Sequence, residues 1–165
     1  MPHSLRHLLT VSAAFAVGAA AAAQPAPKDP PPKPNHPAAK GHRLDHSGKS
    51  EVGKASFYAR KFAGRKMADG TPMDPRDDNA ASKTLPLGTK ALVTNLETGQ
   101  SAVVTIQDRG PYVDGRIVDL SPATAEKIGL KREDGLATVE VAPIAVPQPD
   151  GSTKAGAGAN EVAVR

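Results

Sequence analysis

Apolar and polar residues alternate along several short runs of this chain, and the pattern predicts a small β-rich domain over residues 51–144. The predicted strands are residues 52–58, 90–95, 101–107, 117–120 and 138–144, all rich in β-branched or aromatic side chains. Gly99 closes the four-residue turn 96–99 and suits the left-handed position of a hairpin loop. A domain of this size protects its sheet edges best by closing the sheet, so the pattern favours a closed β-barrel.

Two other local patterns interrupt the strands. Ser121 and Pro122 have the residue types of a helix N-cap and first helical position, and Gly129 is typical of a helix stop, so a short helix to Ile128 is predicted. Residues 79–83 are expected to form one further helical turn. Residues 62–78 are rich in Gly, Pro, Asp and Arg without any period, which indicates a long loop of the kind that often carries function.

The N-terminal residues have the pattern of a secretory signal. Arg6 supplies a positive charge, residues 8–17 are apolar, and the alanines up to Ala23 offer a cleavage site, so residues 1–23 are predicted to be a signal peptide and the protein to be exported to the periplasm. An uncleaved membrane anchor is the alternative, although the apolar run is short for a span. Because the sequence contains no Cys, an N-terminal lipid on cysteine is excluded, and no stable membrane anchor is expected.

The segments on either side of the domain differ from it in composition. Residues 24–50 are dense in Pro and poor in large apolar residues, so they are predicted to be a disordered linker. Residues 145–165 return to Pro, Gly, Ala and Asp and are predicted to be a disordered tail.

Charge argues against a nucleic-acid partner. The whole chain has a formal net charge of +4 and a pI of about 9.4, but residues 51–144 contain thirteen Lys or Arg and thirteen Asp or Glu. The excess lies in the N-terminal segments, where residues 24–50 contain five Lys or Arg and two Asp. The domain therefore offers no net positive charge for a phosphate backbone.

The residue types that are missing narrow the chemistry of the domain. All five His precede residue 51 and Cys is absent, so the domain can hold neither a Ser-His-Asp or Cys-His arrangement nor the usual zinc sites, and no metal or other cofactor is predicted. No phosphate-binding loop is found either. Carboxylates remain, and general acid-base catalysis by Asp or Glu is the chemistry of glycosidic bonds.

Asp108 is the strongest candidate for this chemistry because it ends an apolar strand beside Arg109 at a Gly-Pro corner. The competing interpretation, that Asp108 caps backbone amides of the turn, is about equally supported. Asp119 lies between Val118 and Leu120 before a helix start, and a structural role bonded to backbone amides is favoured for it.

An ordered series of short motifs resembles the rare lipoprotein A family. The motifs are GKASFY at 53–58, FAGR at 62–65, ADG at 68–70, MD at 73–74, NAA at 79–81, TLPLGT at 84–89, VTNL at 93–96, DRGPY at 108–112, GR at 115–116 and DLS at 119–121. The resemblance covers about residues 52–144. It implies a six-stranded double-psi β-barrel with one or two short helices, and the activity of a septal peptidoglycan lytic transglycosylase.

The resemblance also implies a groove that binds glycan strands, with Asp108 as the catalytic acid and base. The residues expected to bind substrate are Phe57, Tyr58, Arg65, Asp69, Thr71, Asp74, Ser82, Arg109, Tyr112 and Arg116. The aromatic side chains would stack on sugar faces and the arginines would bond to hydroxyls and lactyl carboxylates.

The sequence departs from the family pattern at two positions of this groove. Thr71 stands where the family usually has Glu, and Ser82 stands where it usually has His. A lytic transglycosylase needs fewer groups than a hydrolase, because its nucleophile is the muramyl 6-hydroxyl of the substrate, so Asp108 alone could suffice. Two hypotheses follow: a monomeric transglycosylase of cell-wall remodelling, with divisome or other cell-wall proteins as further partners, or a non-catalytic glycan-binding barrel.

Overall fold

The computed structural model describes residues 43–163. Its strands are β1 Glu51–Phe57, β2 Asn79–Ser82, β3 Lys90–Asn95, β4 Ser101–Asp108, β5 Arg116–Leu120, β6 Ala137–Pro147 and β7 Thr153–Ala155. Its helices are the 3₁₀ turn Arg60–Phe62, α1 Pro122–Lys127 and α2 Gly158–Ala163.

Six of these strands form a closed barrel. The neighbour order is β1, β5, β2, β4, β3, β6, and β6 pairs again with β1. Two pairs, β1 with β5 and β2 with β4, are parallel, and the remaining pairs are antiparallel. This mixed closed sheet confirms the predicted six-stranded double-psi β-barrel.

Alternate residues of the strands fill the barrel. In β4, Ala102, Val104 and Ile106 point into the core, as the period of two requires. The large, fully buried side chains outside β4 include Val93, Val118, Leu120, Ile128 and Val139. Each such side chain contributes roughly 1.5–3 kcal/mol when it leaves water.

Helix α1 is built and ended as its sequence predicts. The hydroxyl of Ser121 accepts a hydrogen bond from the amide of Thr124, and Pro122 is the first helical residue. Gly129 has a φ of 71°, in the left-handed region that favours glycine after a helix. The carbonyl of Ile128 accepts from Asn95 Nδ2 at 2.9 Å, so the helix end is joined to the end of β3.

The predicted helical turn at residues 79–83 is wrong. Residues Asn79–Ser82 form strand β2, which lies between β4 and β5, and all four residues are buried. Alanine has a high helix propensity, but a segment with strands on both edges gains its hydrogen bonds and its burial from the sheet.

The predicted disordered tail also differs from the structure. Strand β6 continues to Pro147, β7 pairs with residues 145–147, and α2 follows. Gly156 and Gly158 allow this segment to approach β6 closely, because a Cβ at either position would overlap a backbone carbonyl oxygen of Pro143 or Ala142. A composition rich in small residues suggested a disordered tail, but in this segment the small residues are needed for close packing.

The last residues of the predicted linker are attached to the barrel as well. The amide of Asp45 donates to the carbonyl of Thr84 at 2.8 Å, and Nδ1 of His46 lies 2.9 Å from the carbonyl oxygen of Pro147. Gly48 accepts from the amide of Ala157 at 2.8 Å. The rest of the linker and the signal-peptide prediction lie outside the described residues. Within residues 43–163 no helix has the length and apolar character needed to cross a bilayer.

We expect Gly156→Ala to destabilise the fold, because the added methyl group would press against backbone atoms of Pro143 and Gly48, which cannot move aside as a flexible side chain could. Overpacking of this kind costs about 1–3 kcal/mol. Urea unfolding measures the change, with Ala157→Ser at an exposed neighbouring position as the control. An unchanged midpoint for Gly156→Ala would mean that β7 and α2 do not pack as described.

Candidate active site

Asp108 ends β4 and is held there by three hydrogen-bond donors. Its Oδ1 accepts from the amides of Ala68 at 3.0 Å and of Arg109 at 2.8 Å. Its Oδ2 accepts from the hydroxyl of Tyr58 at 3.0 Å. The side chain is partly exposed, so the carboxylate is both fixed in orientation and open to a ligand. Asp108 therefore does cap backbone amides as predicted, but only through Oδ1.

Tyr58 follows β1 and joins that strand to the carboxylate. Its ring packs edge to face on Phe62, with 5.8 Å between the ring centroids. Burial raises the pKa of the Tyr58 phenol well above its usual value, and the neighbouring carboxylates of Asp108 and Asp119 raise it further. The phenol therefore stays protonated and acts as a donor to Asp108.

The long loop brings a second carboxylate beside the end of β4. Asp69 Oδ1 accepts from the amide and the hydroxyl of Thr71, at 2.9 and 2.7 Å, and Oδ2 accepts from Gln107 Nε2 at 3.0 Å. Slight burial raises the pKa of Asp69, but the hydrogen bonds from Thr71 and Gln107 outweigh it and hold the pKa below the usual value. The amide of Asp69 also donates to the carbonyl of Gln107 at 3.0 Å. Asp69 and Thr71 thus lie beside Gln107, in the same loop that gives the Ala68 amide to Asp108.

Asp74 is also in the loop but has a different environment. Hydrogen bonds from the side chain and amide of Arg76 lower the pKa of its carboxyl, and the two groups form an ion pair at 3.2 Å. The carbonyl of Asp74 accepts from Asn79 Nδ2 at 2.7 Å. The predicted substrate-binding role of Asp74 competes with this pairing to Arg76.

Arg109 and Ser82, both predicted to bind substrate, hold the backbone instead. Nη1 of Arg109 donates to the carbonyls of Ser82 at 3.2 Å and of Leu85 at 2.6 Å. The Ser82 side chain is buried, and its hydroxyl accepts from the amide of Leu85 at 3.2 Å. Burial and this hydrogen bond mean that the position of Ser82 does not support its predicted contact with a sugar hydroxyl. Arg109 has part of its guanidinium committed to the turn after β2.

Asp119 lies in β5, along one edge of β2, and Asp108 lies in β4, along the other edge. The register pairs Ala81 of β2 with both residues. Its Oδ1 accepts a short hydrogen bond from the hydroxyl of Ser56, and its Oδ2 lies 3.7 Å from Arg116 Nη2. The structural role predicted for Asp119 is present, but its partners are side chains rather than the predicted backbone amides. Ser56 was missed by the sequence reasoning, since a serine in a strand has no distinguishing pattern, and so was Gln107.

The remaining predicted residues are spread over two faces. Tyr112 is 67% exposed on the loop after Asp108, beyond the cis Gly110–Pro111 bond. The guanidinium of Arg65 lies 5.7 Å from the ring centroid of Phe62. Phe57 does not join them, because successive strand residues face opposite sides and Phe57 packs against the core.

Phe57 instead lines a groove of about 800 Å³ between the 3₁₀ turn and α1, which we call the α1 groove. Asp108 is not among its lining residues. The predicted contact of Phe57 with a sugar bound at Asp108 is therefore not supported by its position.

No group of three or more His, Asp or Glu side chains arranged to hold a metal ion is found within residues 43–163. The groups that the site does offer are a fixed carboxylate, a neutral phenol and a second carboxylate on a loop.

Comparisons with known proteins identify relatives of this domain. Residues 50–141 match the family model described as lytic transglycolase. An endolytic peptidoglycan transglycosylase RlpA of Vibrio cholerae is 46% identical over 102 residues, which are 62% of this chain and 38% of that protein. The protein of the same name in Pasteurella multocida is 52% identical over 84 residues, 51% of this chain and 29% of that protein. The chain therefore spans about a third of the length of these curated relatives. Among solved structures, the Streptomyces papain inhibitor is 26% identical, with a TM-score of 0.45 over 58% of this chain and 94% of that one.

The environment of Tyr58 gives a titration prediction. Because the chain contains two tyrosines, Tyr112→Phe leaves Tyr58 as the only tyrosine. In that variant we expect tyrosinate absorbance to develop well above the usual pKa of about 10, and to shift to lower pH when Asp108→Asn is added. A raised pKa in the folded state stabilises the fold fully below about pH 10 and progressively less as pH rises. Ionisation of Tyr58 at its usual pH, unaffected by Asp108→Asn, would contradict the described contact.

Proposed function

Because this chain belongs to the lytic transglycolase family, we propose that it is an exported peptidoglycan lytic transglycosylase that cleaves the MurNAc-GlcNAc bond in cell-wall remodelling. The proposal of export rests on the signal-like pattern of residues 1–23. Septal action, divisome partners and a monomeric state are parts of the same proposal.

The position of Asp108 is the observation that carries the proposal. Three donors fix the carboxylate, yet Oδ2 accepts only the Tyr58 hydroxyl and keeps acceptor capacity on a partly exposed side chain. A general acid or base has to be held in one orientation and be open to the substrate, and a fixed, partly exposed carboxylate supports such a role.

One carboxyl group can perform both proton transfers of the reaction. Protonated Asp108 gives its proton to the glycosidic oxygen as the bond to muramyl C1 breaks. The carboxylate so formed takes the proton of the muramyl 6-hydroxyl as O6 bonds to C1. The products are a free GlcNAc 4-hydroxyl and a 1,6-anhydro end, no water is consumed, and Asp108 is again protonated for the next cycle.

Neighbouring groups support the bound sugar in this proposal. The neutral phenol of Tyr58 holds Asp108 in place through both transfers. Asp69 and Thr71 offer acceptors and a hydroxyl to sugar hydroxyls at the edge of the site. The exposed ring of Tyr112 provides a face on which a sugar can stack.

We predict that Asp108→Asn strongly reduces the rate at which 1,6-anhydro ends form. The amide cannot donate and accept the proton in turn, and loss of a positioned acid-base group typically costs 10²- to 10⁴-fold in rate. Mass spectrometry of digested sacculi measures the product. The variant should also lose about 1–2 kcal/mol of stability, because charge-assisted bonds to two backbone amides weaken.

Asp114→Asn is the matched control, since Asp114 is an exposed carboxylate on the loop that follows Asp108. It should leave the rate unchanged. If the parent protein binds sacculi but yields no anhydro ends, the enzyme proposal fails and the non-catalytic glycan-binding barrel takes its place.

Thr71→Glu should increase the rate, because position 71 lies beside Asp69 in the loop whose Ala68 amide bonds to Asp108. A glutamate placed there faces the Asp69 carboxylate, and like charge favours its protonated form, which is what a proton donor needs. We expect a gain within the 10²- to 10⁴-fold range of general acid catalysis. Thr71→Gln is the isosteric control and should give no gain. Equal rates for Thr71→Glu and Thr71→Gln would show that position 71 does not reach the leaving oxygen. Ser82→His is unsuitable as a companion change, because Ser82 is buried.

A further inference from the structure

Asp69 is the second carboxylate near the end of β4, and hydrogen bonds from one stretch of backbone set its place. The amide of Ala68 donates to Asp108 Oδ1 at 3.0 Å. The next amide, that of Asp69, donates to the carbonyl of Gln107 at 3.0 Å. Two consecutive loop residues are therefore bonded to two consecutive residues of β4. Neighbouring backbones joined by such bonds lie about 5 Å apart, so residues 69 and 108 are close in space.

A bulge in β4 places Gln107 at the same loop. The register of β2 and β4 shifts, so that Ala80 pairs with Ile106 and Ala81 pairs with Asp108. Gln107 is the extra residue at this shift, where the strict alternation of side chains stops. Ile106 points into the core, whereas the side chains of Gln107 and Asp108 both contact the long loop. Bulges of this kind re-aim side chains beside functional sites.

The Asp69 carboxylate is fixed in orientation and still open to a ligand. Its Oδ1 accepts from the amide and the hydroxyl of Thr71, and its Oδ2 accepts only from Gln107 Nε2, so Oδ2 keeps acceptor capacity. The residue is exposed. Because these bonds hold the pKa of the Asp69 carboxyl below its usual value, the group is ionised throughout the neutral range. No ion pair within residues 43–163 involves Asp69, so no Lys or Arg there neutralises its charge.

The proposed reaction develops the opposite charge on the sugar. As the bond from muramyl C1 to the leaving oxygen breaks, and before O6 has fully bonded, C1 and the ring oxygen share a positive charge. A fixed negative charge nearby interacts with this ring more strongly in the transition state than in the ground state. Such an interaction lowers the barrier, because its groups are oriented before the reaction begins.

We propose that Asp69 is a second catalytic residue of the site, a carboxylate that stabilises the cationic sugar ring in the transition state and transfers no proton. This inference rests on the proposed function, in which Asp108 performs both proton transfers. Asp108 then acts on the leaving and attacking oxygens, and Asp69 acts on the charge of the ring between them. Gln107 and Thr71 orient Asp69 for this role.

The test measures kcat and KM for formation of anhydro ends from soluble glycan strands. Asp69→Asn removes the charge and keeps the size of the side chain, and the Gln107 amide can turn to accept from the new amide. We expect kcat to fall by roughly 10- to 100-fold, less than for a fully enclosed group because the site is exposed. KM should stay nearly unchanged, since the lost interaction belongs to the transition state.

The exchange variant Asp69→Asn/Gln107→Glu is the matched control. It keeps the net charge and a hydrogen bond between the two side chains, but it moves the carboxylate from the loop to β4. Its melting temperature should stay near that of the parent, and its kcat should stay as low as that of Asp69→Asn. If Asp69 only holds the loop, the exchange variant recovers the parent rate. That recovery, or an unchanged kcat for Asp69→Asn, would overturn the inference.

A second measurement uses binding instead of turnover. The probes are a GlcNAc-muramyl disaccharide analogue with a protonated nitrogen in the muramyl ring and the neutral disaccharide of the same size. Calorimetry should show that the parent prefers the cationic probe and that Asp69→Asn reduces this preference by about tenfold. A preference that is absent from the parent, or that Asp69→Asn leaves intact, would contradict the role of Asp69.

Failure of the proposed function gives a different result. If the parent protein forms no anhydro ends, the transglycosylase and the role of Asp69 are both rejected. If the parent and Asp69→Asn form anhydro ends at the same rate, the transglycosylase is retained and only the role of Asp69 is rejected.

Discussion

Closure of the sheet depends on β6, whose residues pair with β3 along one edge and with β1 along the other. Without β6, the sheet would be open, with β1 and β3 as its two edge strands. Unpaired strand edges are prone to add further strands. Because β6 joins the two ends, each of the six barrel strands has a partner on both sides. The closed sheet does not need the loops for its hydrogen bonding, so the loops can be irregular. The polar groups considered for chemistry lie on these loops and at strand ends.

Asp108 shows how polar contacts help to order the long loop. The carboxylate receives the amide of Ala68 from the long loop, the amide of Arg109 from its own turn and the hydroxyl of Tyr58 from the end of β1. Three segments distant in sequence therefore meet at one side chain. The contacts that fix the orientation of this carboxylate also hold the long loop, so a change at Asp108 affects both the site and the stability of the loop.

The sequence predicted those features that local chemistry determines. Alternation of side chains found the main strands, and Ser121, Pro122 and Gly129 marked α1, because each acts on its immediate neighbours. Asp108 was predicted as a candidate because a carboxylate at a strand end beside a Gly-Pro corner is a local pattern, and the motif resemblance supported the barrel.

What the sequence could not provide depends on contacts between distant segments. The helical propensity of residues 79–82 is overridden by pairing with strands on both sides. Gly156 is needed because it packs against the backbone of Pro143, a contact between segments that the sequence does not show. In the same way, Arg109 was expected to face substrate, but its partners are the carbonyls of Ser82 and Leu85. The pattern of charges along the chain does not reveal which arginines are already used by the backbone.

The bond between the amide of Ala157 and the carbonyl of Gly48 has a consequence for the connectivity of the fold. It places the two ends of the described chain side by side, which is the geometry that tolerates circular permutation. The barrel could then be opened at an exposed hairpin, such as the turn at Gly99, and its present ends joined by a short linker. The order of the elements along the chain would change, but each strand would keep its neighbours. The architecture therefore depends on the contacts between strands and not on their order in the sequence.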